Sequence, residues 1–233
     1  MKIIDEGFFL YSKKFGENSR ILYILTKNYG LIKGLSKISS SKKINLMNLD
    51  CIKTTWLAKN KEALGYINFE QLTFNNLNNN FFNILKASAS ELCIKFLPLW
   101  ERNVDIYNDI CEFSYHKILD KYYLIGKYID WEIKFLSHLG YGLNFQRCSI
   151  SDDYKDAFYL SPKTGNAVCF EVGEKYSKKL FKIPLCMKER FKKSYYDDYS
   201  EALQITKFFL LKILENKKVK FIFRDQVSLF LEE

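Results

Sequence analysis

The residues best suited to chemistry are cations set in a stretch without acids. From Asn18 to Leu49 no aspartate or glutamate occurs, while Arg20, Lys27, Lys33, Lys37, Lys42 and Lys43 do. At the chain's average composition about four acids would fall there. Within the stretch, Ser36-Lys37-Ile38-Ser39-Ser40-Ser41-Lys42-Lys43 reads as a basic loop between two strands. Ammonium groups, serine hydroxyls and free backbone N–H groups suit phosphate oxygens without reading bases. Lys13 and Lys14 before the stretch and Lys53 after it extend the basic set. An ordinary solvated loop is the plain alternative, because lysine is abundant along the whole chain. Aromatics interleave with the charge at Phe8, Phe9, Tyr11, Phe15, Tyr23, Tyr29, Trp56 and Tyr66. Outward rings beside cations stack unpaired bases, each worth ~1–3 kcal/mol. Trp56 and Phe9 read as core. Phe15 and Tyr29, beside turns, are the stacking candidates.

Other chemistries find less support. No phosphate-binding, dinucleotide, nucleophile-elbow or zinc-protease motif occurs. The two histidines, His116 and His138, read as packing or surface residues. Asp105, Asp109 and Glu112 share one helix face and would be the acids of a metal-dependent nuclease. No partner cluster accompanies them, so a solvated acidic face is the simpler reading. The six cysteines are scattered, with no C-x-x-C pair, and read as reduced thiols of a cytoplasmic protein. No metal and no cofactor are expected.

Composition bounds these readings. The chain has 233 residues, 48% hydrophobic and 17% aromatic, which excludes disorder and demands a sizeable core. The net charge is +9. Only five of the 36 basic residues are arginine, a lysine bias that AT-rich coding imposes without function. The distribution is therefore more telling than the sum. Residues 1–80 carry 12 Lys+Arg against 6 Asp+Glu, and residues 81–233 carry 24 against 21. The opening residues are too acidic for a signal peptide, and no apolar run approaches a membrane span.

The elements follow from periodicity. Alternating apolar residues predict strands over Ile3–Ser12, Ser19–Thr26, Leu31–Leu35, Cys51–Ala58 and Ala63–Phe69, with a hairpin turn at Asn28-Tyr29-Gly30. Five short strands in so few residues suggest a closed barrel, of which the OB-fold is the commonest five-stranded type. The five asparagines within Asn75–Asn80 read as a linker. Helical spacing then predicts helices from Phe81 to Pro98, over Val104–Asp120 and over Tyr123–Leu139, the last stopped by Gly140-Tyr141-Gly142. A β-hairpin follows, Ala157–Leu160 and Ala167–Glu171 around a Pro/Gly turn. Short helices near Glu174–Phe181 and Leu185–Lys193 precede longer ones at Ser200–Glu215 and Arg224–Leu231. The fold class is α+β.

Several stretches resemble a known family. Glu6-Gly7-Phe8-Phe9-Leu10-Tyr11 and Phe15-Gly16-Glu17-Asn18-Ser19-Arg20-Ile21 resemble the opening of the RecO recombination mediators. Leu25-Thr26, Tyr29-Gly30-Leu31-Ile32-Lys33-Gly34, Leu139-Gly140-Tyr141-Gly142-Leu143-Asn144, Arg147-Cys148 and the run Tyr159–Val168 continue the resemblance in order. It implies an OB domain over 1–76 and a helical domain over 77–143 and 173–233. Between the two helical parts it implies a β-hairpin insertion over 144–172. Some relatives carry a four-cysteine zinc module there. Here only Cys148 and Cys169 stand in the region, so the expected hairpin is a degenerate module without metal. The resemblance also implies a non-enzymatic role in the RecF pathway of recombinational repair: binding single- and double-stranded DNA, annealing complementary strands, and loading RecA. The implied partners are RecR, single-strand DNA-binding protein and, indirectly, RecF and RecA, at the nucleoid. The acidic tail of the single-strand DNA-binding protein would meet a basic-rimmed groove near Lys188–Lys193 or Lys217–Arg224. A general OB-fold RNA-binding module is the alternative reading.

Overall fold

The computed structural model describes residues 1–37, 46–72, 79–115, 120–151, 157–188, 198–215 and 219–232. Lys42, Lys43, Ile118 and most of the asparagine run lie outside them. By packing the chain divides into two compact units. The first comprises Met1–Tyr115 with Phe221–Phe230, the second His116–Lys220 with the last residues.

The first unit is built on five strands: β1 (Lys2–Lys14), β2 (Ser19–Thr26), β3 (Gly30–Lys37), β4 (Cys51–Leu57) and β5 (Gly65–Gln71). They close into a barrel in the order β1-β2-β3-β5-β4, the OB topology that the strand count suggested. Closure depends on the length of β1. Its first half pairs with β4 and its second half with β2, and a register shift between Phe9 and Tyr11 bends it from one partner to the other. Gly7 lies where the two pairings overlap, and a Cβ there would stand 2.7 Å from the Leu25 carbonyl oxygen.

Alternation sends Ile3, Phe9, Leu22, Ile24, Ile32, Ile52, Trp56 and Ile67 into one core. Each fully buried side chain of this kind contributes about 1.5–3 kcal/mol. Phe8, on the outer face of β1, is covered by Tyr107 of α2 (Val104–Ser114), with ring centroids 5.2 Å apart. The β2–β3 turn is latched by Asp5, whose carboxylate accepts from the Asn28 backbone N–H at 2.8 Å and its side-chain amide at 2.9 Å.

Helix α1 (Asn80–Phe96) starts inside the asparagine run, because the Asn79 side chain accepts the Phe82 N–H at 2.8 Å. Helix α2 is capped by Asn103 and ends at Ser114, short of the expected Asp120. Asp120 instead caps α3 (Lys121–His138), accepting from the Tyr123 N–H at 2.9 Å. Helix α7 (Ile222–Glu232) begins on the carboxylate of Glu91, which accepts the N–H groups of Ile222, Phe223 and Arg224. Among the described residues no helix is long and apolar enough to cross a membrane.

The second unit joins α3 and α6 (Asp198–Ile213) to a four-stranded sheet, β6 (Asn144–Cys148), β7 (Ala157–Leu160), β8 (Asn166–Cys169) and β9 (Phe181–Lys182), ordered β6-β8-β7-β9. The expected hairpin is β7–β8. The short β6 and β9, invisible to periodicity, widen it into a sheet. Short helices α4 (Phe170–Gly173) and α5 (Leu185–Lys188) flank β9. Glu132 pins α3 to α6: its fully buried carboxylate accepts from the Tyr128 hydroxyl at 2.6 Å and from the Thr206 hydroxyl. The hairpin turn is fastened to α6, because the Lys212 ammonium donates to the carbonyls of Pro162 and Lys163 at 2.9 and 2.6 Å.

Candidate nucleic-acid interface

The barrel register sorts the cations. Residues paired across strands lie on one face of a sheet. Lys13 pairs with Ile21, Ile21 with Leu35, Leu35 with Tyr66, Tyr66 with Leu57, and Leu57 with Lys2. These six residues form one outward row around the barrel, apolar in the middle and cationic at both ends. A neighbouring outward row runs Tyr11–Tyr23–Lys33, its tyrosine rings 6.3 Å apart. Lys37, exposed at the end of β3, pairs with Ser19 on the same face. Lys13, Lys33 and Lys37 are thus brought to one outer surface.

Arg20 and Lys14 pair with each other and share the inward parity of Leu22. Arg20 stands half-buried at the barrel end, its guanidinium donating to the Ser12 carbonyl at 3.2 Å. Ser36, opposite Arg20 on β3, closes the same end. Lys53 is differently placed. On β4 it stands in register with Glu6 of β1 and Glu70 of β5, so its cross-strand neighbours on both sides are acids.

The two stacking candidates part company. Phe15, in the β1–β2 turn, is 51% exposed at the Lys37 end. Tyr29 sits in the β2–β3 turn at the opposite end of an eight-residue strand, partly buried against the core cluster. The strand rise puts these turns about 24 Å apart.

The ring that sequence reasoning passed over is Tyr66, 55% exposed in the centre of the outward row. Its signal was alternation with the buried Gly65 and Ile67. β3 and β5 pair in parallel only at Gly34–Gly65 and Leu35–Tyr66. Where they part, a surface groove of about 340 Å³ opens, lined by Leu35, Lys37, Tyr66, Ile67 and Asn68.

The helical acids Asp105, Asp109 and Glu112 lie on α2. Among the described residues no three His, Cys, Asp or Glu side chains gather to hold a metal. In the second unit Cys148 and Cys169 do meet. The Cys169 N–H donates to the Cys148 sulfur at 3.2 Å, and the Ser151 hydroxyl lies 3.8 Å from the Cys169 sulfur. Two thiols and a hydroxyl do not make a closed four-ligand thiolate site, so a zinc ion does not fit the donors described. Burial pushes the Cys148 thiol up. Hydrogen bonds from the Ser151 side chain and the backbone N–H groups of Ile150, Ser151 and Cys169 outweigh it and hold the thiol at about 6.

Of the two basic segments expected to rim a partner groove, 189–193 and Lys217 lie outside the described residues. Arg224 is fully buried in the first unit and rims nothing.

Comparison with known proteins adds two findings. A family model described as Recombination protein O N terminal matches residues 1–74, and one described as Recombination protein O C terminal matches residues 88–220. The chain is also similar to the DNA repair protein RecO of Rickettsia bellii, 31% identical over 92% of this chain and 90% of the relative. It is 28% identical to the RecO of Ehrlichia chaffeensis, over 97% of each chain, and to that of Wolbachia pipientis wMel, over 92% of each.

Proposed function

This chain belongs to the RecO family of DNA repair proteins, and on that footing we propose that it is a mediator of recombinational repair. In this reading it binds single- and double-stranded DNA, anneals complementary strands, and with RecR helps load RecA onto DNA coated by single-strand DNA-binding protein. It acts at the nucleoid, with RecF and RecA as indirect partners. The observation that carries the reading is the gathering of Lys13, Lys33 and Lys37 on one outer barrel surface. Lys33 and Lys37 belong to the acid-free stretch Asn18–Leu49, which also carries Lys42 and Lys43.

The mechanism is electrostatic. Two strands repel through their phosphates. Cations that neutralise both strands at once lower that repulsion, and base pairing then completes the duplex. No covalent bond is made or broken. Lys37, Lys42 and Lys43 lead, with Lys13, Lys14, Arg20 and Lys33 beside them. Lys53 contributes least, because the acids Glu6 and Glu70 stand beside it in register and repel a phosphate. The interleaved tyrosines suit unpaired bases.

Strand annealing across a salt series, with and without single-strand DNA-binding protein, tests the proposal. About six phosphate contacts give a log–log slope of affinity on salt near −4 for single strands. An affinity insensitive to salt would sink the mechanism.

A further inference from the structure

The groove between β3 and β5 opens beside the short ladder that closes the barrel, and it is built from an unusual set of groups. Tyr66, on β5, is exposed although Leu35 and Leu57 flank it in register. An exposed aromatic ring between two apolar side chains gives up water readily to another flat, apolar surface. Lys37 stands on the opposite wall and Asn68 on the same strand as Tyr66. The nearest register neighbours of the row bring further cations, Lys13 two strands away and Lys33 on the wall of β3 itself. No acid faces the groove from its lining residues.

We propose that this groove is a subsite for one unpaired nucleobase, stacked on Tyr66 with the adjoining phosphate on Lys37. The inference rests on the DNA-binding reading above and adds a selectivity to it. A base inside a duplex is already stacked on both faces and cannot lie on Tyr66, whereas its phosphates still reach the lysines. The ring therefore favours single strands, while the cations serve both forms. Asn68 offers an amide to the base edge without imposing one sequence, since an amide both donates and accepts. β3 and β5 pair only at Gly34–Gly65 and Leu35–Tyr66, and the groove lies beside that short ladder.

The test is a titration of the full chain with an oligothymidylate of about 12 nucleotides and with a blunt duplex of the same length. Tyr66→Ala is expected to weaken single-strand binding roughly tenfold and to leave duplex binding unchanged. Tyr66→Phe is expected to bind like the wild type, because the face of the ring, not the hydroxyl, carries the stacking. The proposal is overturned if Tyr66→Ala binds single strands normally, or if it weakens both forms alike. It is also overturned if the variant changes only the oligomeric state by sedimentation, which would mark the groove as a contact between copies. A wild-type chain that binds no single strand at all would sink the underlying reading too. Normal wild-type binding with an inert Tyr66 would sink the subsite alone.

Discussion

Trp56 and Gly65 compete for one volume inside the barrel: a Cβ at position 65 would stand 2.3 Å from the indole. The indole uses that space fully, because its N–H donates to the Lys33 carbonyl at 3.0 Å. A buried core residue of β4 therefore holds the backbone of β3 at the position of an outward lysine, past the strand that lies between them. Overpacking a filled core costs about 1–3 kcal/mol. Gly65→Ala should lower the urea midpoint accordingly, followed by circular dichroism. A midpoint equal to wild type would refute the packing.

Glu91 and helix α7 offer a second test. Its carboxylate accepts three N–H groups, from Ile222 and Phe223 at 2.8 Å and from Arg224 at 3.2 Å. These are the free donors of a helix start, and a negative charge there is also attracted by the positive end of the helix dipole. Glu91→Ala should cost about 1–2 kcal/mol. It should also speed amide exchange at 222–224, while Glu91→Gln keeps part of the protection. Unchanged exchange in the alanine variant would show that the cap is idle.

The Cys148 thiol predicts a pH dependence with a definite sign. Its folded value is about 6 against an ordinary 9.0, so folding favours the thiolate. That contribution is complete above pH 9 and is lost as the pH falls through 6. Relative to Cys148→Ser, the wild-type melting temperature should climb between pH 6 and pH 9. Burial pushes Cys93 and Cys186 up to about 12, so neither adds a thiolate in that window. Ultraviolet thiolate absorbance should accordingly show one group ionising near pH 6. A flat difference between the two proteins would remove Cys148 from the account.

The lysines are separable by their neighbours. Lys37→Ala should lower the single-strand salt slope by about 0.7, the share of one phosphate contact. Lys53→Ala, between Glu6 and Glu70, should leave it almost unchanged. Reversing Lys37, Lys42 and Lys43 together to Glu should abolish annealing. Equal losses at Lys37 and Lys53 would show that the register does not decide which cations meet DNA.

Much of the fold was legible because its signals are short-range. The span of β2 was read to the residue, since alternation and the Asn28–Gly30 turn mark both ends. Capping residues announce helix starts, although by pattern alone Asn79 reads as linker and Asp120 as the end of the preceding helix. Tertiary structure decided what pairs with what. Nothing local in the sequence sets Lys53 between Glu6 and Glu70, or Tyr66 beside Leu35. Nor does anything local place Glu91 under a helix that begins 131 residues later. Alternation fixes which face a strand residue shares with its second neighbour. Barrel closure fixes the register between strands, and register is what sets Lys13, Lys33 and Lys37 on one outer surface and Lys53 between two acids. The charge excess of the first third was written in the sequence; the gathering of Lys13, Lys33 and Lys37 on one outer surface was not.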